Sequence, residues 1–435
     1  MRLAEYPDDI GFATAIGVLP APLAPLPDDT VPSRLMTEAR LFRRLGLPKP
    51  LISTMLVRAS QHGTSLETEL LASGSVSEQI YYEALAEILD IPFLDRLDPA
   101  EVEDLPGADT QLIDPTVVRL RHASRAPTTA IVPSAERLAY LGERLAHSPA
   151  LRTMMAATTP SALRTALWQA GQYRRLRDTV DDLHATMPEA SARITLRGRQ
   201  GFYTGVTVTL LLVLAALAPV LATLALHIVL SLLFLGTVLI RLAALIAKYR
   251  RERRPPSPPA RPRPTYSIFV ALYREAEVVP QLIDTLNRIE WPPARLDIKL
   301  ICEADDQETL DALALTRLGR QYEIVAVPPG RPRTKPKALT YALGAARGDY
   351  LVIYDAEDRV DPMQLEEAWR TFEAGPPDVA CLQAPLVVTN AGESWLSALF
   401  ALEYAGLFRV LLPRLAAARL PMPLGGTSNH FRGLM

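Results

Sequence analysis

The spacing of apolar residues follows three successive patterns along the chain, and the first pattern is helical. Leu66, Leu70 and Leu71 lie on one face of a predicted helix, and Gly74 is placed to end it. Strand-like segments are mixed with further helices toward residue 190. The pattern therefore predicts a mainly helical α+β domain over residues 36–190.

The second pattern is an uncharged stretch from Phe202 to Ile240. As a single helix it would be roughly 58 Å long, whereas a bilayer core is about 30 Å thick. Pro219 lies near the middle, so residues 202–247 are predicted to form two membrane helices, at about 202–220 and 223–247. Arginine and lysine residues flank both ends, which predicts that both ends face the cytoplasm.

The third pattern begins at Tyr266, where short apolar runs alternate with amphipathic segments. The runs YSIFVALY, DIKLICEA, YEIVAVP and DYLVIYDAED predict strands. Near-continuous apolar strands alternating with helices are typical of a parallel sheet covered on both faces. Residues 266–435 are therefore predicted to form a Rossmann-like α/β domain with a mostly parallel sheet.

Proline-rich segments mark the remaining boundaries. Residues 1–35 show little periodicity and are predicted to be a disordered lead. Residues 248–265 contain RRERRPPSPPARPRPT, which predicts a stiff basic linker attracted to the membrane surface.

Composition agrees with a membrane part joined to soluble parts, because 49% hydrophobic residues occur together with 22% charged residues. A net charge of −2 gives no general attraction to nucleic acid, so no nucleic-acid partner is expected. The two cysteines lie in apolar stretches, which favours reduced thiols in cytosolic domains. No basic region precedes a short apolar core at the N-terminus, so no secretory signal is predicted.

Candidate chemistry begins in DYLVIYDAEDRVDP, where acids follow an apolar strand. Ligands of parallel α/β sheets bind beyond the carboxyl ends of the strands. Asp355 and Glu357 leave the strand at that edge, and two carboxylates together with substrate phosphates suit Mg²⁺ or Mn²⁺. The alternative is a solvated acidic loop.

Charged residues also follow or precede other elements of the predicted sheet. Glu303, Asp305 and Asp306 end the second strand and could accept hydrogen bonds from a base or ribose, or Asp306 could simply cap a helix. Lys335 and Lys337 stand at a helix N-terminus, where a bound phosphate would offset the unfavourable charge. The alternative is an exposed basic turn. G-x-G-x-x-G and Walker A motifs are absent from the sequence, which disfavours a dinucleotide or P-loop site.

These motifs resemble an inverting family 2 glycosyltransferase over essentially all of residues 266–435. The resemblance is carried by SIFVALYREAEVVPQLIDTLNRIEWP, ICEADDQET, KPKALTYALGAARGDYLVIYDAEDRVDP, CLQAPL, FALEYAGLFRVLLPRL and LPLGGTSNHFR. It implies a GT-A fold, a nucleotide-diphosphate sugar donor that is usually UDP-linked, and a glycan acceptor.

The resemblance also assigns residues. Asp355 and Glu357 match the metal-binding D-x-D position, with Glu in place of the usual third Asp. Glu303 and Asp305 match acids that contact the nucleotide, together with Asp355, and Lys335 matches a lysine that contacts the diphosphate. The GGTSNHFR loop matches the segment lining the acceptor side, which comprises Gly426, Thr427, Ser428, Asn429 and His430.

One family feature is missing from the printed sequence. The family's general base is an Asp in a Thr-Glu-Asp-like motif, and the chain stops at FRGLM before any such motif. The catalytic residue is therefore unassigned, and the chain is expected to be a fragment of a longer enzyme or to be inactive.

The N-terminal region has a separate resemblance to the N-terminal domain of type II secretion ATPases, the MshE-type module. It is carried by TSLETELLASGSVSEQIYYEALAEILDIPFLD. Some such modules bind cyclic di-GMP through repeats that begin with Arg-Leu-Gly, and HGTSLETELLASG lacks that arginine. A cyclic di-GMP site and a plain docking domain both stay open.

Two functions follow from the sequence. The first is a membrane-bound glycosyltransferase for surface polysaccharide, in the bacterial inner membrane with its soluble domains in the cytoplasm. The alternative is a catalytically inactive regulator or sensor that binds a nucleotide or cyclic di-GMP. A transporter is disfavoured, because the two predicted spans carry no paired intramembrane charges.

Overall fold

The computed structural model describes residues 32–196, 198–249 and 261–433. Most of the predicted disordered lead and most of the predicted basic linker lie outside the described residues. The chain divides into two compact units. The first unit joins the chain up to Thr179 with Pro258–Leu382 and the residues from His430 onward, and the second contains Val180–Ser257 and Gln383–Asn429.

The N-terminal part of the first unit is a mixed α and β domain. Its elements are α1 (Ser33–Arg44), α2 (Lys49–His62), α3 (Leu66–Ala72), α4 (Glu78–Leu89), β1 (Phe93–Leu94), α5 (Thr110–Ile113), β2 (Val117–Leu120), β3 (Thr128–Ile131), α6 (Leu138–His147), α7 (Ala150–Met154), β4 (Met155–Thr158), α8 (Pro160–Ala170) and α9 (Gln172–Thr186). The strands form a sheet in the order β1-β4-β3-β2, in which β3 runs parallel to β4 and antiparallel to β2.

The local signals seen in the N-terminal sequence have their expected structural effect. Leu66, Leu70 and Leu71 are buried in the core of the helical part. The chain then turns at Gly74 with a φ of 67°, a conformation that glycine adopts at little cost. Ser77 caps α4, since its side chain accepts a hydrogen bond from the backbone N–H of Ile80.

The second unit contains two long apolar helices, α10 (Gly198–Leu217) and α11 (Pro219–Tyr249). The predicted helices at about 202–220 and 223–247 correspond to them, and the break falls at Pro219, the first residue of α11. Proline is well suited to a first helical turn because its missing N–H has no intrahelical partner there.

The second sheet, in contrast, is built from residues that follow the predicted linker. Its elements are β5 (Tyr266–Leu272), α12 (Val279–Asn287), β6 (Leu296–Glu303), α13 (Gln307–Leu315), β7 (Tyr322–Val327), α14 (Lys335–Leu343), β8 (Tyr350–Tyr354), α15 (Gln364–Ala374), β9 (Cys381–Gln383) and β10 (Asn429–Arg432). The strand order is β7-β6-β5-β8-β10-β9, with β5 parallel to both β6 and β8, and β6 parallel to β7. The predicted fold class, a mostly parallel α/β sheet with added helical regions, is confirmed.

This strand order places a switch point between β5 and β8. From β5 the chain adds β6 and β7 on one side and then returns to add β8 on the other. Ligands of open α/β sheets bind in the crevice that such a reversal leaves beyond the carboxyl ends of the strands. The predicted site residues at the ends of β6 and β8 lie at that edge.

Between β9 and β10 the chain forms a further apolar helical segment. It consists of α16 (Trp395–Gly406), a π-helical turn (Leu407–Leu411) and α17 (Leu412–Ala417). Three helices in the described residues are long and apolar enough to cross a membrane, namely Gly198–Leu217, Pro219–Ile246 and Trp395–Ala417. The third was missed by the sequence analysis because charged residues interrupt it. One of these, Glu403, forms an ion pair with Arg241 of α11 at 3.2 Å.

Candidate functional site

The acids that follow β8 divide into two groups with different local roles. The Asp358 carboxylate accepts a hydrogen bond from the backbone N–H of Asp355 at 2.9 Å, and Asp361 accepts one from the backbone N–H of Met363 at 2.8 Å. These two acids satisfy the backbone of the turn that leads to α15. Asp355 is half-buried, whereas Glu357 is exposed at the carboxyl edge of the sheet.

Asp355 also forms an ion pair with Lys335, the first residue of α14. Both side chains are about one-third exposed, 31% for Lys335 and 34% for Asp355. Thr334 caps this helix by accepting a hydrogen bond from the backbone N–H of Lys337. A cation at a helix N-terminus opposes the helix dipole, and the Asp355 carboxylate offsets that conflict. Lys335 is therefore placed at the β5–β8 crevice.

A third carboxylate, Glu275, lies in the same crevice and was not selected by the sequence analysis. Burial and the neighbouring carboxylates Glu357 and Asp355 raise the pKa of Glu275. One of its carboxylate oxygens is buried without a hydrogen-bond partner. The available sequence signal was the position of Glu275 three residues after the end of β5, the strand adjacent to β8. The charges of Glu357 and Asp355 therefore act on Glu275 in the same region of the sheet edge.

The residue before Glu275 has an unusual backbone conformation. Arg274 has a φ of 58°, and its N–H donates to Asp306 Oδ2 at 2.5 Å. The other Asp306 oxygen caps α13 by accepting from the backbone N–H of Thr309. Asp306 thus stabilises both the helix start and the turn that presents Glu275, and the predicted capping role is the one that the geometry shows.

Glu303 and Asp305, predicted to contact the nucleotide, have different environments at the end of β6. Glu303 is buried and forms an ion pair with Lys337 at 2.8 Å. Asp305 is 40% exposed and pairs with Arg333, which also donates to the Tyr273 hydroxyl at 2.9 Å. Of the two acids, Asp305 is the more accessible to a ligand. The nucleotide role of each stays a prediction.

The loop assigned to the acceptor side mostly lies in the second unit. Gly426 is exposed, whereas Thr427, Ser428 and Asn429 are buried. The Asn429 side chain donates to the carbonyl of Gly425 at 2.5 Å, so this loop is stabilised by its own side chains. Its acceptor role stays a prediction.

His430 belongs to the first unit and is almost completely buried. Its Nδ1 lies 2.6 Å from the Tyr266 hydroxyl, and its Nε2 lies 3.2 Å from Oε1 of Gln364. Burial lowers the pKa of His430 to about 3, so the ring is neutral, accepts from Tyr266 and donates to Gln364. These contacts show a packing role for the His430 ring, and its acceptor role stays a prediction.

The residues at the β5–β8 crevice fit a divalent metal bound together with a phosphate ligand. Among the described residues no group of three or more His, Cys, Asp or Glu side chains is arranged to hold a metal ion by itself. Mg²⁺ and Mn²⁺ are commonly held by one or two carboxylates, with substrate phosphates and water completing the shell. Asp355 and Glu357 could supply these carboxylates, and the unpartnered Glu275 oxygen and its raised pKa indicate excess negative charge there.

This region of the chain is similar to a known protein family. Residues 262–428 match the family model described as "Glycosyltransferase like family 2". This stretch of the chain, which contains β5 to β8 and every element of the crevice, is therefore similar to glycosyltransferase family 2.

Relatives and solved structures give the following similarities. Cellulose synthase 1 of Komagataeibacter xylinus and that of Novacetimonas hansenii are each 29% identical over 145 residues, covering 32% of this chain and 9% of the relative. The chain thus matches only a small part of the length of these relatives. The mannosyltransferase PcManGT from Pyrobaculum calidifontis, in complex with GDP-Man and Mn²⁺, aligns at 23% identity and a TM-score of 0.28, over 34% of this chain and 46% of that chain. S. aureus TarS 1–349, in complex with UDP-GlcNAc, aligns at 16% identity and a TM-score of 0.23, over 25% and 31%.

Proposed function

We propose that this protein is a membrane-bound inverting glycosyltransferase. It transfers a hexosyl group from a nucleotide-diphosphate sugar, of the UDP-linked class, to a glycan acceptor. The product is surface polysaccharide, and the reaction takes place on the cytoplasmic side of a bacterial inner membrane. The family 2 domain and the three apolar helices support this proposal.

The observation that carries the proposal is the set of charged side chains at the β5–β8 crevice. Lys335 forms an ion pair with Asp355, and the charges of Asp355 and Glu357 raise the pKa of Glu275. A nucleotide diphosphate carries several negative charges, which cationic groups and a metal ion can offset together. The site offers a lysine for direct contact and carboxylates for the metal. The positive lysine and the negative carboxylates in one crevice therefore suit the phosphates and the metal ion of such a donor.

Each side chain has a separate task in the proposed site. Lys335 binds the diphosphate and reduces its charge, while Asp355 and Glu357 hold Mg²⁺ or Mn²⁺. Such a metal, when bound, offsets the charge that builds on the leaving diphosphate. Asp305 is accessible at the adjacent strand end and orients the nucleoside through hydrogen bonds. Inversion also requires a base that deprotonates the acceptor hydroxyl, and none of these residues is assigned that task.

Equilibrium binding to the full chain in detergent tests the proposal. We expect UDP to bind in the presence of Mn²⁺ and to bind more weakly after EDTA removes the metal. GDP should compete for the site with lower affinity than UDP. Asp355→Ala should abolish the metal-dependent part of UDP binding. Glu308→Gln is the matched control, because Glu308 is an exposed acid on α13. Equal UDP affinity in wild type and Asp355→Ala would remove Asp355 from the metal site.

One observation favours a regulatory alternative. The N-terminal domain and the family 2 domain share a hydrophobic core, through which a ligand bound to one domain could affect the other. In this alternative the chain binds a nucleotide, or cyclic di-GMP at the N-terminal domain, without transferring sugar. Calorimetry on the full chain with cyclic di-GMP tests the second part. No heat of binding at saturating concentrations would exclude it.

A further inference from the structure

One face of the family 2 sheet is covered by a helix of the N-terminal domain, within the same compact unit. The core on this face contains Phe269, Ile301 and Val325 of the sheet together with Leu167 and Trp168 of α8. These side chains are all buried to at least nine-tenths. The N-terminal domain is thus part of the folding core of the sheet that carries the candidate site.

Polar contacts fix α8 against β7. The Trp168 Nε1–H donates to the Glu323 carboxylate at 2.8 Å, and Arg164 Nε lies 3.6 Å from the same carboxylate. Lys299 of β6, which is completely buried, pairs with Glu323 from the other side. A largely buried carboxylate requires such partners to remain charged, so Glu323 ties α8 to β7.

The carboxyl end of α8 is fixed independently. Arg175 of α9 donates to the carbonyls of Leu167 and Trp168 at 2.5 and 2.6 Å, which satisfies two acceptors at the helix end. The same guanidinium lies over the Trp168 ring, 5.2 Å from its centroid, and pairs with Asp109 at 2.8 Å. Trp168 is therefore held on several sides.

Trp168 also contacts α14, the helix that begins with Lys335. Its ring centroid lies 5.4 Å from that of Tyr341, with the rings tilted by 30°. In addition, Leu176 of α9 packs closely against Gly330 in the loop before α14, where an added Cβ would lie 2.8 Å from the leucine. The N-terminal domain thus contacts both α14 and the loop that leads into it.

We propose that Trp168 is a positioning residue for the donor site, through which the N-terminal domain fixes α14 and thereby Lys335 and Lys337. This inference rests on the proposed function, because it assigns the diphosphate to the first turn of α14. Tyr341 lies on the same helix as Lys335, less than two turns away, so a shift of the helix at Tyr341 moves the lysine relative to Asp355. The N-terminal domain is then a required part of the catalytic unit.

Two substitutions at Trp168 separate this role from simple packing. Trp168→Phe retains a ring against Tyr341 but loses the hydrogen bond to Glu323, whereas Trp168→Leu loses both and retains apolar volume. Leu70→Ala is the control, because Leu70 is fully buried in the separate helical core of the N-terminal domain. Amide hydrogen exchange over residues 335–343 and UDP affinity with Mn²⁺ are measured on each full-length variant in detergent.

We expect Trp168→Leu to speed exchange in the first turn of α14 and to weaken UDP binding about tenfold, a change equivalent to about 1.4 kcal/mol. Trp168→Phe should retain most of the affinity, and Leu70→Ala should leave α14 exchange unchanged. If Trp168→Leu does not fold, Tyr341→Leu removes the same ring contact from the α14 side.

Unchanged exchange and affinity in a folded Trp168→Leu protein would overturn the inference, as would an equal effect of Leu70→Ala. Absence of UDP binding in the wild type would contradict the proposed function alone, because the exchange measurement still reports whether Trp168 fixes α14.

Discussion

The ammonium group of Lys335 contacts the carboxylate of Asp355, which joins the first turn of α14 to the carboxyl end of β8. One member of this pair suits a phosphate and the other suits a metal ion. A bound metal–diphosphate complex would satisfy both groups at once, so the pair marks the place where we expect the donor to bind.

Lys335→Met should weaken UDP binding more than UMP binding. The substitution removes a positive charge but retains an apolar side chain of similar length, and UDP carries one more phosphate than UMP. We expect a loss of about tenfold for UDP with Mn²⁺, the effect of about one charge-assisted hydrogen bond. Competition binding with both nucleotides measures the ratio, and equal losses for UDP and UMP would contradict a diphosphate contact.

The neighbouring lysine should behave differently, since Lys337 pairs with Glu303 in a buried environment. Lys337→Met leaves the Glu303 charge buried without its partner, which should lower the free energy of unfolding by about 3–5 kcal/mol. Lys335→Met is the matched control, because a partly exposed pair contributes about 1 kcal/mol or less. Chemical denaturation of both variants compares them, and similar stabilities would show that the Lys337–Glu303 pair is not buried in solution.

Glu275→Gln should stabilise the metal-free protein in a pH-dependent manner. Because burial, Glu357 and Asp355 raise the pKa of Glu275, the folded state holds its proton more tightly than the unfolded state. The wild type therefore loses stability as the pH rises through that raised pKa, whereas the glutamine variant does not. The stability difference should shrink as the pH falls toward the ordinary glutamate value of about 4.3.

Thermal unfolding in EDTA between about pH 5 and pH 8 measures this difference, because that range lies above the ordinary pKa of glutamate. Glu277→Gln is the control, because Glu277 is an exposed acid two residues away. A pH-independent difference between Glu275→Gln and wild type would show that the Glu275 carboxyl titrates normally.

The buried ring of His430 predicts a second pH dependence with a different cause. Burial lowers the pKa of His430 to about 3, whereas an unfolded histidine titrates near about 6.5. The unfolded state therefore takes up a proton first, and stability is lost as the pH falls from about 6.5 toward 3. His430→Gln should show a shallower loss over this range, as measured by urea denaturation. A parallel pH profile in the variant would mean that the ring is accessible to protons.

The sequence predicted the sheet, and the position of some candidate site residues at its edge, because both depend on local patterns. Apolar runs of strand length defined β5 to β8, and the rule on carboxyl ends brought Lys335 and Asp355 toward one edge. For Asp306 the sequence left two roles open, and the structure shows the helix cap. Each of these inferences uses residues close together in the chain and a general rule of parallel sheets.

The features that were missed depend on distant parts of the chain. Nothing near Trp168 indicates that its partner is Glu323, which is 155 positions away. Glu275 lies near Asp355 only because β5 pairs with β8, and the two strands are far apart in the sequence. His430 is a core residue because it packs against Tyr266, which is also distant in the chain. The third apolar helix was not recognised because Glu403 interrupts it, and the structure pairs that charge with Arg241.

Electron paramagnetic resonance of Mn²⁺ with the full chain in detergent tests the central claim most directly. Free Mn²⁺ gives a strong signal that is lost on binding, so titrations with and without UDP report whether metal and nucleotide bind together. UDP in buffer without protein gives the baseline, because UDP itself binds Mn²⁺. We predict that UDP strengthens Mn²⁺ binding by the wild type above this baseline. In an Asp355→Asn/Glu357→Gln double variant, Mn²⁺ binding with UDP should equal the baseline. Equal UDP-dependent Mn²⁺ binding by wild type and the folded double variant would contradict a nucleotide-sugar site at the β5–β8 crevice.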